Sequence, residues 1–330
     1  LNVGDDFITF NIQSFYLLQR SILSGFFGLL LMQSISQQKS DSIFSFRMGE
    51  DVKVTVDKSS NFSKHKKSIV IFYALPNGNT TEQTMGKKME TSDDWHFDIQ
   101  HIRAQTEFIR QQSASENIIV VYLENNLKSW PAWKQKHPDH LSIIQHIVDT
   151  LYHSIASKHK IIYLNGHSGG GSFIFGFMAG VNKIPAYIKR ISFLDSDYGY
   201  DSSYYPKLKD WLLHTKDSHL TVFAYNDSIA LYNGKPLVSA TGGTWYRSHL
   251  MMNHLSKDFS FQQTHGDSIT IFRTKNKQIG FFFKANLNQG IYHTQQVELN
   301  GFIHSVLFGT KKESKGYIYY GTRAYNNLVK

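Results

Sequence analysis

The stretch that most constrains this 330-residue chain is 161–182. An apolar run, Ile161-Ile162-Tyr163-Leu164, leads into Gly166-His167-Ser168-Gly169-Gly170-Gly171, and a second apolar stretch from Phe173 to Met178 leaves it. That order predicts a strand, a sharp turn with a serine at its apex, and a helix. Glycines on both sides of Ser168 let the chain turn where side chains would collide. The turn lifts the serine Oγ clear of the sheet and aims it at the helix N-terminus. Free backbone N–H groups and the helix dipole favour negative charge there. A glycine-rich turn around a merely buried serine would not need three consecutive glycines where a helix begins.

The surroundings repeat the alternation of strand and helix. Residues 45–47 and 52–56 alternate like paired strands, and 68–74 and 118–123 are continuous apolar runs of the kind buried on both faces. Further strands are expected at 191–195, 220–225, 268–272 and 279–285, and helices at 98–112, 139–157, 206–214, 246–257 and 295–308. Buried strands alternating with helices predict a mostly parallel central sheet covered on both faces, with ligands at the carboxyl ends of its strands. Hydrophobic residues make up 41% of the chain, enough for a sizeable core, and there is no internal repeat. Residues 39–330 are expected to form one domain, with a loop or cap insertion at about 228–262.

Composition narrows the chemistry. The chain has no cysteine, which excludes thiol catalysis, disulfides and cysteine-bound metals. Its net charge of +9 is scattered, as in Lys64-His65-Lys66-Lys67 and Lys311-Lys312, and no nucleic-acid-binding module accompanies it. A diffuse positive field also suits an acidic partner such as a uronate-containing polysaccharide. Arg20, the apolar core 21–32 and the small residues 34–36 read as an export leader over 20–38, with 1–19 as an upstream extension. The apolar core is short for a permanent bilayer span, so stable membrane insertion is not expected. The localisation implied is secreted or periplasmic.

With the serine turn, the element order and a histidine near the end, the chain resembles the α/β-hydrolase superfamily over roughly 42–310. Within it, the style is similar to secreted bacterial carbohydrate esterases of the pectin methylesterase type. The resemblance implies an α/β-hydrolase fold and a triad in the order serine, acid, histidine. Ser168 maps to the nucleophile. His293, in Tyr292-His293-Thr294 after the last strand, maps to the base, with His304 as a rival inside a helical pattern. The acid is Asp195, directly after the 191–194 run, or Asp227, after the next strand; Asp195 is preferred for its unbroken placement, and the other is expected to cap a loop. Gly169 implies one oxyanion donor and the loop at Asn77-Gly78 the other, although Asn-Gly is also a strong turn dipeptide.

His167, Glu124, Trp130, Trp133, Trp245 and Arg247 lie at strand ends or in the insertion and are the residues expected to face a substrate. Tryptophan faces suit sugar rings and arginine suits a carboxylate. No metal or other cofactor is expected, since the one tight histidine cluster, His137-Pro138-Asp139-His140, is interrupted by proline. The function implied is hydrolysis of carboxylic esters on a polysaccharide: methyl, acetyl or feruloyl. A peptidase or lipase of the same fold, and a carbohydrate-binding protein that keeps the fold without the chemistry, are the alternatives. Oligomeric state is not legible.

Overall fold

The computed structural model of the chain describes residues 42–49 and 51–330. The expected upstream extension (1–19) and export leader (20–38) lie outside the described residues. Strands β1 (Ser42–Met48), β2 (Val52–Lys58), β3 (Lys67–Ala74), β4 (Glu116–Asn125), β5 (Lys160–His167), β6 (Ile188–Leu194) and β7 (His219–Tyr225) are followed by a small hairpin, β8 (Leu231–Tyr232) and β9 (Lys235–Pro236). Then come β10 (Phe261–His265), β11 (Ile269–Thr274) and β12 (Ile279–Lys284). The helices are α1 (Thr81–Met85), α2 (Ile102–Gln112), α3 (Trp130–Lys136), α4 (His140–Ser154), α5 (Gly171–Gly180), α6 (Tyr205–His214), α7 (Thr244–Leu255), α8 (Gln295–Glu298) and α9 (Gly301–Leu307).

All strands except the hairpin join one sheet in the order β1-β2-β4-β3-β5-β6-β7-β12-β11-β10. The six from β4 to β12 are parallel, with antiparallel pairs added at both edges. β3 shows how sequence sorts the layers. Every residue after Lys67 is buried, and the period of two sends alternate side chains to opposite faces. Val70, Phe72 and Ala74 join the core under α3 to α7, while Ile69, Ile71 and Tyr73 join the core under α2 and α9. The expected α/β class and two-faced helix cover are present.

Three departures have physical causes. The expected closing helix 295–308 is two helices, because Asn300 takes a left-handed backbone (φ +63°) and its side chain is drawn into bonds with the Ile318 and Thr322 carbonyls and the Ala324 N–H. The stretch 311–330, which no periodicity organised, packs over this junction: Tyr325 is fully buried, and Arg323 pairs with Asp98 and Glu298. The insertion expected at 228–262 does not stand wholly apart from the sheet, since α7 buries Met251 and Leu255 in the core. No helix among the described residues is long and apolar enough to cross a membrane.

Candidate active site

The parallel register brings the carboxyl ends of β3, β5 and β6 level, with Ala74 opposite Gly166 and His167 opposite Leu194. Ser168 follows directly, half-buried and in the left-handed region (φ +54°), before a single tight turn, Ser168–Gly170, feeds α5. A non-glycine residue held there costs about 1–2 kcal/mol, so the surrounding packing must impose it. The glycines show how. A Cβ on Gly170 would stand 2.1 Å from the Ala74 carbonyl oxygen, and one on Gly171 would stand 1.7 Å from that of Ser196. The turn is therefore pressed between the ends of β3 and β6 with no room for a methyl group. Gly171→Ala should lower stability by about 1–3 kcal/mol, the range for overpacking against atoms that cannot yield. Thermal unfolding followed by circular dichroism checks this, and an unchanged Tm would contradict it.

Two further side chains converge on the same edge. Asp195, fully buried, follows β6 with φ +48°, and its N–H donates to the Phe223 carbonyl at 2.8 Å. His293 arrives from the loop after β12 and donates through Nδ1 to Asp195 Oδ2 at 2.5 Å. The other carboxylate oxygen of Asp195 accepts from Thr244 Oγ1 at the start of α7. Both oxygens are thus committed, and the imidazole is left with Nε2 for work elsewhere.

Asp227 has a different task. Its Oδ2 accepts from the Thr244 N–H at 2.8 Å and its Oδ1 from the Trp245 N–H at 3.3 Å, which satisfies the first donors of α7. Gly243 is required beside it, since a Cβ there would lie 2.3 Å from the Asp227 carboxylate. Asp227 thus caps α7, and His293 makes its carboxylate hydrogen bond to Asp195. Burial, and then the neighbouring Asp195 charge, push the Asp227 pKa up to about 6. A carboxyl raised in this way holds its proton in the native state while the unfolded chain has already lost it, so stability falls as pH rises from about 4 to about 6 and then levels. Asp227→Asn should flatten that decline, and Asp227→Ala should cost about 0.5–2 kcal/mol as a lost cap while leaving turnover within about tenfold. Urea unfolding at stepped pH, with parallel rate assays, measures both.

Several other expectations need correction. His167 does not face a ligand. It is buried, its Nε2 donates to the His293 carbonyl at 3.2 Å, and the two rings lie 4.5 Å apart. Burial, with the neighbouring His293, holds it well below the ordinary histidine range, so it is a neutral brace for the His293 backbone. Gly78 cannot serve as an oxyanion donor, because its N–H is given to the Lys128 carbonyl at 2.8 Å. Asn77 is exposed, and a Cβ on Gly169 would lie 1.9 Å from its Oδ1, so the loop does reach the serine turn.

Glu124 accepts from the Thr81 N–H and Oγ1 at 2.8 and 2.6 Å and closes the start of α1. Trp130 and Trp133, each 1% exposed, are core residues; Trp130 packs edge-on against Phe173 at 4.7 Å and offers no face to a sugar. Trp245 is half-buried against Phe283 and His249, and Arg247 donates to the Tyr200 carbonyl at 2.9 Å. The rival His304 is buried, shares a hydrogen bond with the Tyr317 hydroxyl, and is pushed down to about 3 chiefly by burial. Sequence reasoning missed Thr244, which joins the two aspartates; its signal was Gly-Gly-Thr opening a helix. It also missed Tyr198, whose ring centroid lies 6.3 Å from that of His293. Among the described residues no three of His, Asp and Glu are grouped as a metal would need.

No family model matches the chain, and no curated protein matches it. Solved structures similar to it include a thermostable esterase, 13% identical with a TM-score of 0.49, covering 81% of this chain and 63% of that one. The chain thus spans less than two thirds of that esterase's length. Another is a mutant of the feruloyl esterase module from Clostridium thermocellum complexed with sinapinate, 11% identical, TM-score 0.44, covering 85% and 92%. A third is an acetyl xylan esterase from Aspergillus awamori, 9% identical, TM-score 0.42, covering 74% and 93%. At these values the functional case stands on the chain's own residues.

Proposed function

We propose that this chain is a secreted serine hydrolase of carboxylic esters that works through an acyl-enzyme on Ser168 and needs no cofactor. The observation that carries the reading is the Asp195–His293 hydrogen bond, formed at the sheet edge where Ser168 is held in a left-handed turn. In the reaction, Ser168 Oγ attacks the ester carbonyl carbon and His293 Nε2 takes its proton. Asp195 fixes the imidazole and stabilises its cation without accepting that proton. The Gly169 N–H, with Asn77 as partner, holds the oxyanion. Collapse breaks the bond to the alcohol, which leaves with the proton from His293. Water then attacks the acyl-enzyme with His293 again as base, releasing a carboxylic acid and restoring Ser168.

For substrate we take an aromatic, feruloyl-type ester on a carbohydrate, ahead of methyl or acetyl esters. With Trp130 and Trp133 in the core, the support shifts to the loop that delivers His293. Leu287 there is 90% exposed and Ile291 is exposed too. The hairpin carrying exposed Leu231 and Tyr232 is tied to the same loop by the Leu231 N–H, which donates to the Gln289 carbonyl at 3.0 Å. An apolar rim suits an aromatic acyl group, and the +9 charge suits an acidic polysaccharide around it. The same rim favours a second reading, an esterase of apolar acyl chains. Wild type should release ferulate from feruloylated pectin faster than methanol from the same polymer or acetate from acetylated xylan. Preferred turnover of tributyrin would favour the second reading, and silence on every ester from folded protein would end both. Secretion is tested separately by N-terminal sequencing of exported protein, which should lack 20–38.

A further inference from the structure

The opposite end of the sheet holds a second feature that ester hydrolysis does not use. A cavity of about 290 Å³ opens where β3 to β7 begin, between the sheet and the α2 and α9 layer. Its walls include Ile69, Ile118, Ile161 and Leu307, and Arg190 lines it as well. Ile161 lies on β5, seven residues before Ser168, which follows that strand, and this puts the cavity roughly 20 Å from the serine.

Arg190 is only 1% exposed. One of its nitrogens, Nη2, donates to the Phe308 carbonyl at 2.7 Å, and its guanidinium centre sits 5.2 Å from the Tyr163 ring centroid. Nε and Nη1 are buried and make no hydrogen bond of good geometry, and the neutral Tyr163 hydroxyl interacts with the guanidinium. A buried cation with unmet donors is costly and is retained in native proteins where something meets the need. The nearby acidic groups are shared with other cations: Glu313, whose charge reaches Arg190, is bonded to Lys277 at 3.0 Å with Arg273 at 3.9 Å. Glu116 is taken by Lys312 at 2.7 Å, and His219, held down to about 4 by burial and then by Arg190, is neutral at pH 7. Asp217 is exposed at the rim, against Lys67, Lys189 and Lys311.

We propose that this cavity is a binding site for a small organic monoanion, a carboxylate with an apolar body. Its oxygens accept from Arg190, and its hydrocarbon part lies along the isoleucine and leucine wall. The basic rim draws the anion in, and the isoleucine and leucine wall, which covers one part of an otherwise polar lining, favours an anion with an apolar body over a fully hydrated ion such as phosphate. The proposal does not depend on ester hydrolysis, because the site is remote from Ser168.

The test is isothermal titration of the whole chain with benzoate, benzamide and inorganic phosphate, using the Ser168→Ala variant so that turnover plays no part. Benzoate should bind saturably, phosphate more weakly, and neutral benzamide not at all. Arg190→Met should weaken benzoate by about 10- to 100-fold, the worth of a hydrogen bond to a charged group. A Lys67→Glu/Lys311→Glu double variant, altered only at exposed positions, should weaken it by several-fold and decides the matter if Arg190→Met fails to fold. Absence of benzoate binding to folded protein, phosphate binding as tight as benzoate, or benzoate binding untouched by either variant would each overturn the proposal.

Discussion

Ser168→Ala should lower ester turnover by about 10⁴- to 10⁶-fold while leaving the fold intact, since removal of a nucleophile that acts as a unit with its base costs nearly the whole covalent pathway. The residual rate would come from the oxyanion donors and binding alone. Stability should hardly change, because alanine meets the same left-handed strain as serine at φ +54°. Ser168→Gly should lose as much activity and yet gain stability, as glycine takes that conformation without steric cost. The pair of variants separates the chemistry of the hydroxyl from the strain of its perch. Thermal unfolding beside rate measurements on one ester is enough, and a Ser168→Ala protein with near-native turnover would remove Ser168 from the mechanism.

Asp195→Asn should be nearly as damaging, lowering kcat by about 10³- to 10⁴-fold with the geometry preserved. The reason is specific to this site. Thr244 Oγ1 donates to the Asp195 oxygen that does not face His293. In an asparagine, that donor would select the amide oxygen and turn the NH₂ toward His293 Nδ1. The imidazole would then have to accept at Nδ1 and carry its hydrogen on Nε2, the tautomer that cannot take a proton from Ser168. Thr244→Val in the same background should restore part of the loss by freeing the amide to flip. The contrast with Asp227 is the control: equally buried and one strand further on, it holds the N–H groups of α7 and not the imidazole.

What the sequence revealed follows a physical division. The serine turn, Asp195 and His293 were legible because each ends or follows a regular apolar run, and parallel strands bring such ends to one edge. The parallel strands were legible for the same reason, being continuous where both faces are covered, whereas the edge strand β10, exposed from Gln262 to His265, carried no such run. The tryptophans were not. Trp130 and Trp133 follow a strand end, as a substrate platform would, but they sit in the seven-residue helix α3, too short for its periodicity to show an inward face. The Gly78 N–H could not be known to be occupied, because its acceptor, the Lys128 carbonyl, comes from another loop. The choice between two aspartates turned on the His293 hydrogen bond to Asp195, a contact between residues 98 apart in the chain, while Thr244 touches both carboxylates. Asn300 broke the final helix for the sake of a tail whose own sequence shows no period.

The most direct measurement is active-site labelling: folded wild-type protein is treated with a fluorophosphonate, digested, and the adduct mapped by mass spectrometry. A single adduct on Ser168, formed rapidly in wild type and slowed by orders of magnitude in His293→Ala, is the predicted result. Label on a different serine, or none on Ser168 from protein shown to be folded, would contradict a nucleophile activated by the His293–Asp195 pair.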